Sequence, residues 1–426
     1  MPIYRSTGRT CIVHIGMHKT GSSSIQRTIN ANLGVLEEKF GVASFGQRPN
    51  HSVFAPGLIN DPDEIEALPV LGQDTPESRI QFSRDQLALL EDEFRALKTS
   101  RFVISGEGLS RMKGRGIPRL HALLNRYFDD VHIVIYVREP FSYANSAAAQ
   151  LIKGGATFES IRTRTLVDGA RQDDTEGKVA RQDRGNVLPN YRKRIEGHWL
   201  LTGPDKLHCI RFDRPSLRNG DVVDDFFWRF LGIDIADLPV IRREENVGLD
   251  AGPTFALEYL NRVEPPFIDE RLNLKRTTPL VSKLQAGRSN GTKFAIPGFD
   301  YARFAEITRP DVEWLRDLTG GAIDFSLRVP EMPPPPTPDE LLSAMELLNH
   351  QSLERDWMAQ RTLVFRELWR HSMGQALDTG MLENIVAIST DVTFLPNLAH
   401  NFRLANLPDL ARQAEERAAL LRERLA

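Results

Sequence analysis

Cysteine is nearly absent from this chain. Its two cysteines among 426 residues, Cys11 and Cys209, both fall in apolar runs, so a disulfide framework is excluded and each reads as a buried, reduced thiol. Long hydrophobic runs are missing too. No stretch approaches the roughly 18 apolar residues of a membrane span, and Met1-Pro2-Ile3-Tyr4-Arg5 is not followed by the apolar core of a secretory signal. The expectation is a cytoplasmic protein without a membrane partner. Excess charge is also lacking: 54 Lys and Arg stand against 57 Asp and Glu, a formal net charge of -3, so no broad basic field invites nucleic acid. No group of His, Cys and carboxylates has metal-ligand spacing, and no metal cofactor is expected.

What remains is an ordinary globular composition, 41% hydrophobic and 26% charged, in a chain longer than one core comfortably serves. Short β-favouring runs occur at Cys11 to Ile15, Val42 to Phe45, Phe102 to Ser105, Val131 to Val137 and Leu207 to Phe212. The segments between them are long enough for crossover helices, which predicts an α/β domain of three layers on a central parallel sheet. Val131-His132-Ile133-Val134-Ile135-Tyr136-Val137 is nearly continuous in apolar character, as a central strand covered on both faces requires. From Ser23 onward, Ile25, Ile29, Leu33, Leu36 and Phe40 keep helical spacing up to Gly41, a C-terminal cap. Residues 156–189 turn polar and predict an exposed loop or lid. The proline-rich segment 330–338 predicts a stiff linker between a main domain, 1–329, and a helical C-terminal module, 339–426, with a turn at Asn406-Leu407-Pro408-Asp409. That tail offers a surface for oligomer formation.

Two motifs carry chemistry. Gly16-Met17-His18-Lys19-Thr20-Gly21-Ser22-Ser23-Ser24 lies between the first strand and its helix, where backbone N–H groups and the positive helix end hold anions. The Walker order fails, because Gly21 is followed by Ser22 and the lysine precedes it. The second motif begins at the end of the apolar strand: Arg138-Glu139-Pro140 opens a new helix, and Ser146 follows Arg138 by eight positions. An arginine at the carboxyl edge of a parallel strand can fork onto phosphate, and a serine two turns along adds a hydrogen bond.

In this combination the chain resembles the sulfotransferases that use 3′-phosphoadenosine 5′-phosphosulfate (PAPS), particularly their bacterial members, over roughly residues 9 to 250. The resemblance implies a P-loop-like fold and a 5′-phosphosulfate loop formed by His18, Lys19, Thr20, Gly21, Ser22, Ser23 and Ser24. It further implies a 3′-phosphate site at Arg138 and Ser146, and a general base at Glu107 after the strand Phe102 to Ser105. PAPS would be the co-substrate, 3′-phosphoadenosine 5′-phosphate (PAP) the product, and a hydroxyl, for example of a glycan, the acceptor. The glycine-rich Arg-Lys-Gly clamp of the animal enzymes is absent, leaving Arg242 and Arg243 as substitutes. His18 is the competing base, though its place in the loop suits donor contact or loop packing better; His14 suits a core position, and His51, which could reach an acceptor from its loop, an exposed one. Trp199, Trp228, Tyr191 and Phe227 read as core aromatics, with one available to stack on adenine. A P-loop kinase and a noncatalytic PAP-binding scaffold are the competing readings.

Overall fold

The computed structural model describes residues 8–17, 19–65, 75–112, 114–170, 187–241, 249–263, 267–269, 274–275, 291–344, 376–389 and 394–425, with the isolated positions 364, 367, 368 and 371. Five strands form one parallel sheet: β1 (Thr10–His14), β2 (Val42–Ser44), β3 (Arg101–Ser105), β4 (Asp130–Val137) and β5 (Leu207–Arg211), in the order β2-β3-β1-β4-β5. Side chains alternate across it because the pleat repeats every second residue. Cys11, Val13, Phe102, Ile104, Ile133 and Ile135 face one core, which also holds Phe94, Leu120, Leu124, Tyr191 and Ile195. Ile12, Val103, Val134 and Tyr136 face the other, with Ile25, Ile29, Phe226, Phe227 and Phe230. Helices therefore cover both faces and make the three-layer α/β domain. Each fully buried Phe or Ile contributes on the order of 1.5–3 kcal/mol.

The strand order fixes where a ligand can sit. The chain leaves β1 toward the β3 side, whereas it leaves β4 toward β5, so the connections diverge between the carboxyl ends of β1 and β4. Such a switch point opens a crevice beyond the sheet.

Three local expectations change. The helix after Ser22 does not run unbroken to Phe40: it ends at Ala31 and restarts at Leu33, with Asn32 at φ -125° and ψ 16° between. Its amide donates to Thr28 O at 2.7 Å and to Val240 O at 2.6 Å and accepts from Val240 N at 3.2 Å, competing with helix bonding as asparagine does. Residues 156–189 are not all loop, since Phe158–Ala170 is a helix. Thr157 and Ser160 cap it reciprocally, and Phe158 is buried against Phe255 and Phe294. The rest of the expected lid, 171–186, lies outside the described residues. Pro338, assigned to the linker, is helical; Thr337 and Glu340 form a capping box around it and Pro338 takes the first helical position, where its missing N–H costs nothing.

The chain divides into two compact units, Met1–Lys275 with Ser289–Pro336, and Arg276–Arg288 with Thr337–Ala426. In the second, helices Thr379–Ile388, Phe394–Leu404 and Pro408–Leu425 enclose Leu382, Phe394, Leu398, Phe402, Leu410 and Ala414. Asn406, at φ 61°, turns the chain between the last two, and Leu407 N closes on Phe402 O at 2.8 Å. No helix among the described residues is long and apolar enough to cross a membrane.

Candidate functional site

The loop after β1 winds tightly into the helix Ser22–Ala31. Lys19 and Gly21 both take positive φ, 65° and 77°, which curls consecutive peptide units toward one side. Gly21 has reason to be glycine twice over, because an added Cβ would also strike Val222 Cγ1. Thr20 is fully buried, and its hydroxyl donates to Met17 O at 2.7 Å; Ser22 Oγ reaches the same carbonyl at 3.4 Å. Those two hydroxyls therefore lock the loop. Ser24 is also buried, Ser23 only half-buried, and the first-turn N–H groups of Ser22 and Ser23 have no carbonyl one turn back within the helix. His18 lies outside the described residues, as do Arg242 and Arg243.

Arg138 enters from the end of β4. Its Nη1 donates to Lys19 O at 3.2 Å, so the arginine expected at one end of the donor touches the residue expected at the other. Nε donates to Ser142 Oγ at 2.8 Å, one turn into the helix Pro140–Lys153, while Ser146 sits half-buried a turn further along that face. Glu139 caps this helix, accepting from Phe141 N at 3.0 Å and Ser142 N at 2.7 Å. The carbonyl of Arg138 accepts from the buried Tyr191 hydroxyl. Burial lowers the proton affinity of the Arg138 guanidinium, and Glu139 opposes that shift.

Glu107 reaches the same place from β3. It starts a 3₁₀ turn, Glu107–Arg111, pinned by Gly106 N to His14 O at 3.0 Å, Gly16 N to Gly106 O at 3.3 Å and Gly108 N to Ser52 Oγ at 2.7 Å. Ser110 Oγ lies 2.9 Å from both Gly16 O and Glu107 O. The approach is close enough that a Cβ on Gly16 would lie 2.5 Å from Ser22 Oγ and 3.1 Å from Glu107 Cγ. Burial lowers the Lys19 pKa, Glu107 raises it and Arg138 lowers it again, so Lys19 senses both of the charges that follow β3 and β4.

The histidines divide differently from expectation. His51 is not exposed: its Nδ1 accepts from Ser105 N at 3.0 Å, its Nε2 lies 3.2 Å from Phe45 O, and burial holds its pKa down to about 4. His14 is a core residue with Nδ1 2.8 Å from Ser105 Oγ, its pKa lowered to about 4 by burial against a smaller opposing effect of Glu107. Both are neutral near pH 7 and face strand backbone or a core serine. Of the aromatics, Tyr191 and Phe227 are core; Trp228 is 43% exposed beneath the Arg218 guanidinium at 3.8 Å. A cleft of about 460 Å³ between Ile117, Pro118, Gly197 and Leu200 is lined by none of Lys19, Glu107 or Arg138. No three His, Cys, Asp or Glu among the described residues group as metal ligands.

Ser142, Ser110 and Tyr191 were missed as site residues by reading the sequence. Ser142 stands one helical turn from Arg138, a signal equal in kind to that of Ser146; Ser110 and Tyr191 carry none, because their partners lie in other segments. No family model matches the chain, and neither a curated protein nor a solved structure matches it.

Proposed function

We propose that this protein is a sulfotransferase that moves a sulfuryl group from PAPS to an acceptor hydroxyl. The observation that carries the reading is the meeting of Lys19 and Arg138 at the switch point, with the Glu107 carboxylate beside them. Two partly desolvated cations and the first-turn N–H groups suit a ligand with phosphates at two ends. The non-Walker order of Lys19-Thr20-Gly21-Ser22 disfavours the magnesium nucleotide of a kinase. The residues present fit the donor: the loop of Lys19 to Ser24 would take the 5′-phosphosulfate, and Arg138 with Ser146 the 3′-phosphate.

PAPS supplies an activated sulfuryl group. In transfer the acceptor oxygen forms a bond to sulfur while the bond from sulfur to the 5′-phosphate oxygen breaks, and that phosphate leaves with the electron pair. Lys19 neutralises charge developing on the leaving oxygen, and Glu107 accepts the hydroxyl proton. The remaining work is positioning, as in phosphoryl transfer.

Thermal unfolding in the presence of PAP or of ATP with magnesium tests this assignment. PAP at about 100 times its Kd should stabilise the protein by about 2.7 kcal/mol, more than ATP at the same concentration. Preferential stabilisation by ATP would sink the sulfotransferase reading in favour of a kinase.

A further inference from the structure

One more cation stands at the strand ends. Arg194, half-buried on the helix Tyr191–Thr202, donates through Nε to Pro189 O at 2.8 Å and through Nη1 to Ser110 Oγ at 3.3 Å. Ser110 belongs to the 3₁₀ turn that begins at Glu107 and lies 2.9 Å from that residue's carbonyl, so the guanidinium is tied to the turn carrying the candidate base. Three residues of such a turn span about 6 Å.

The electrostatic position of Arg194 is unusual among its neighbours. Arg192 pairs with Glu196 at 2.8 Å, Arg138 is braced by Ser142 and Lys19 O, but among the described residues no carboxylate lies within ion-pair distance of Arg194. Asp311 senses its charge, yet that carboxylate is already engaged by Tyr191 N at 2.5 Å and Arg192 N at 2.7 Å at the start of the helix. A guanidinium offers five N–H donors in a fixed fork, and the contacts to Pro189 and Ser110 use two. The remaining donors match a carboxylate in shape and charge.

We infer that Arg194 binds a carboxylate of the acceptor, which makes the substrate a carboxylate-bearing alcohol such as a uronic acid or a hydroxy acid. This rests on the sulfotransferase reading for its location and adds the acceptor's chemical class. The donor phosphates are left to the β1 loop and Arg138, whereas Arg194 approaches from the side of Glu107. A carboxylate held there orients the hydroxyl toward the base, and the Arg194 guanidinium offsets the repulsion that Glu107 would exert on an anionic substrate.

The test is calorimetric titration of the full chain saturated with PAP, using two matched pairs: glucuronate against glucose, and 4-hydroxybenzoate against 4-hydroxybenzyl alcohol. At least one acid should bind wild type tenfold or more tightly than its neutral partner. Arg194→Gln should abolish that preference and Arg194→Lys, which keeps the charge and the aliphatic stem, should retain part of it, with PAP affinity within twofold of wild type for both. Equal affinities within both pairs on wild type, or a preference that survives in Arg194→Gln, would overturn the inference. Loss of PAP affinity in both variants would also overturn it by placing Arg194 on the donor. If PAP does not bind wild type, the transfer reading falls on its own, and the same titrations without PAP still decide the carboxylate site.

Discussion

Replacing Gly16 by alanine probes the closest approach in the site. The new Cβ would stand 2.5 Å from Ser22 Oγ, 3.0 Å from Ser22 Cβ and 3.1 Å from Glu107 Cγ. Ser22 is buried and its hydroxyl is held by Met17 O, so it cannot simply swing away. Overpacking of this kind costs about 1–3 kcal/mol, and the reduced freedom of the unfolded chain returns about 0.4–1. A net loss of up to about 2.6 kcal/mol remains, which for a unit of this size lowers Tm by up to roughly 4 °C. The functional effect should be larger, because the strain separates the Lys19 loop from Glu107, and a misplacement of about 1 Å can cost on the order of 100-fold in rate. Differential scanning calorimetry with and without PAP reads the loss of stability and of PAP binding, and turnover of labelled PAPS reads the rate. Gly16→Ala combined with Ser22→Ala removes the nearest atom and should recover part of the loss. A single variant with wild-type Tm and wild-type PAP affinity would refute the close packing of loop and base.

Two further outcomes follow from named contacts. Tyr191→Phe deletes the hydroxyl that donates to Arg138 O, leaves a partly buried carbonyl unpaired at a cost of about 1–3 kcal/mol, and should weaken PAP binding more than it weakens Mg-ATP binding in paired titrations. For pH, His14 and His51 have folded pKa values of about 4, below the ordinary 6.5. The unfolded chain therefore binds the extra protons, and the stability these groups confer is full above pH 6.5 and lost as pH falls from 6.5 toward 4. These two groups contribute up to about 2.7 kcal/mol per pH unit. His121 and His208, also held down to about 4, and His198, held down to about 3, act in the same direction, while Glu93, pushed up to about 7, opposes them, so urea midpoints should rise with pH between about 4 and 7; a flat profile there would contradict neutral burial of the rings.

The sheet was legible because each strand is a short apolar run bounded by polar or glycine residues, and all five runs pair in one parallel sheet. Helix limits were less so. The spacing from Ile25 to Phe40 continues through Asn32, and only the distant Val240, which exchanges two hydrogen bonds with the Asn32 amide, shows why the helix breaks there. Phe158–Ala170 was hidden for a similar reason: Phe158 is buried by Phe255 and Phe294, about a hundred and more positions away. At the site, Lys19, Glu107 and Arg138 stood out because each lies in the segment leaving the carboxyl end of a strand, where a parallel sheet directs its chemistry. What supports Arg138 did not stand out. Ser142 and Ser146 lie on one face of one helix, and no periodicity distinguishes the serine that braces the guanidinium from the one beyond it. His51 looked like a loop residue because its two partners, Ser105 N and Phe45 O, are backbone groups that no side-chain pattern reveals.

The central claim is that Lys19 promotes departure of the phosphate from a sulfuryl group bound at the β1 loop. Incubation with sulfur-35-labelled PAPS and a panel of glycan, uronate, phenol and hydroxy-acid acceptors measures it most directly. Wild type should transfer label to at least one class, and Lys19→Met should transfer it about 100- to 1,000-fold more slowly while keeping its fold. No transfer to any class by wild type, or equal rates for the two proteins, would contradict the account.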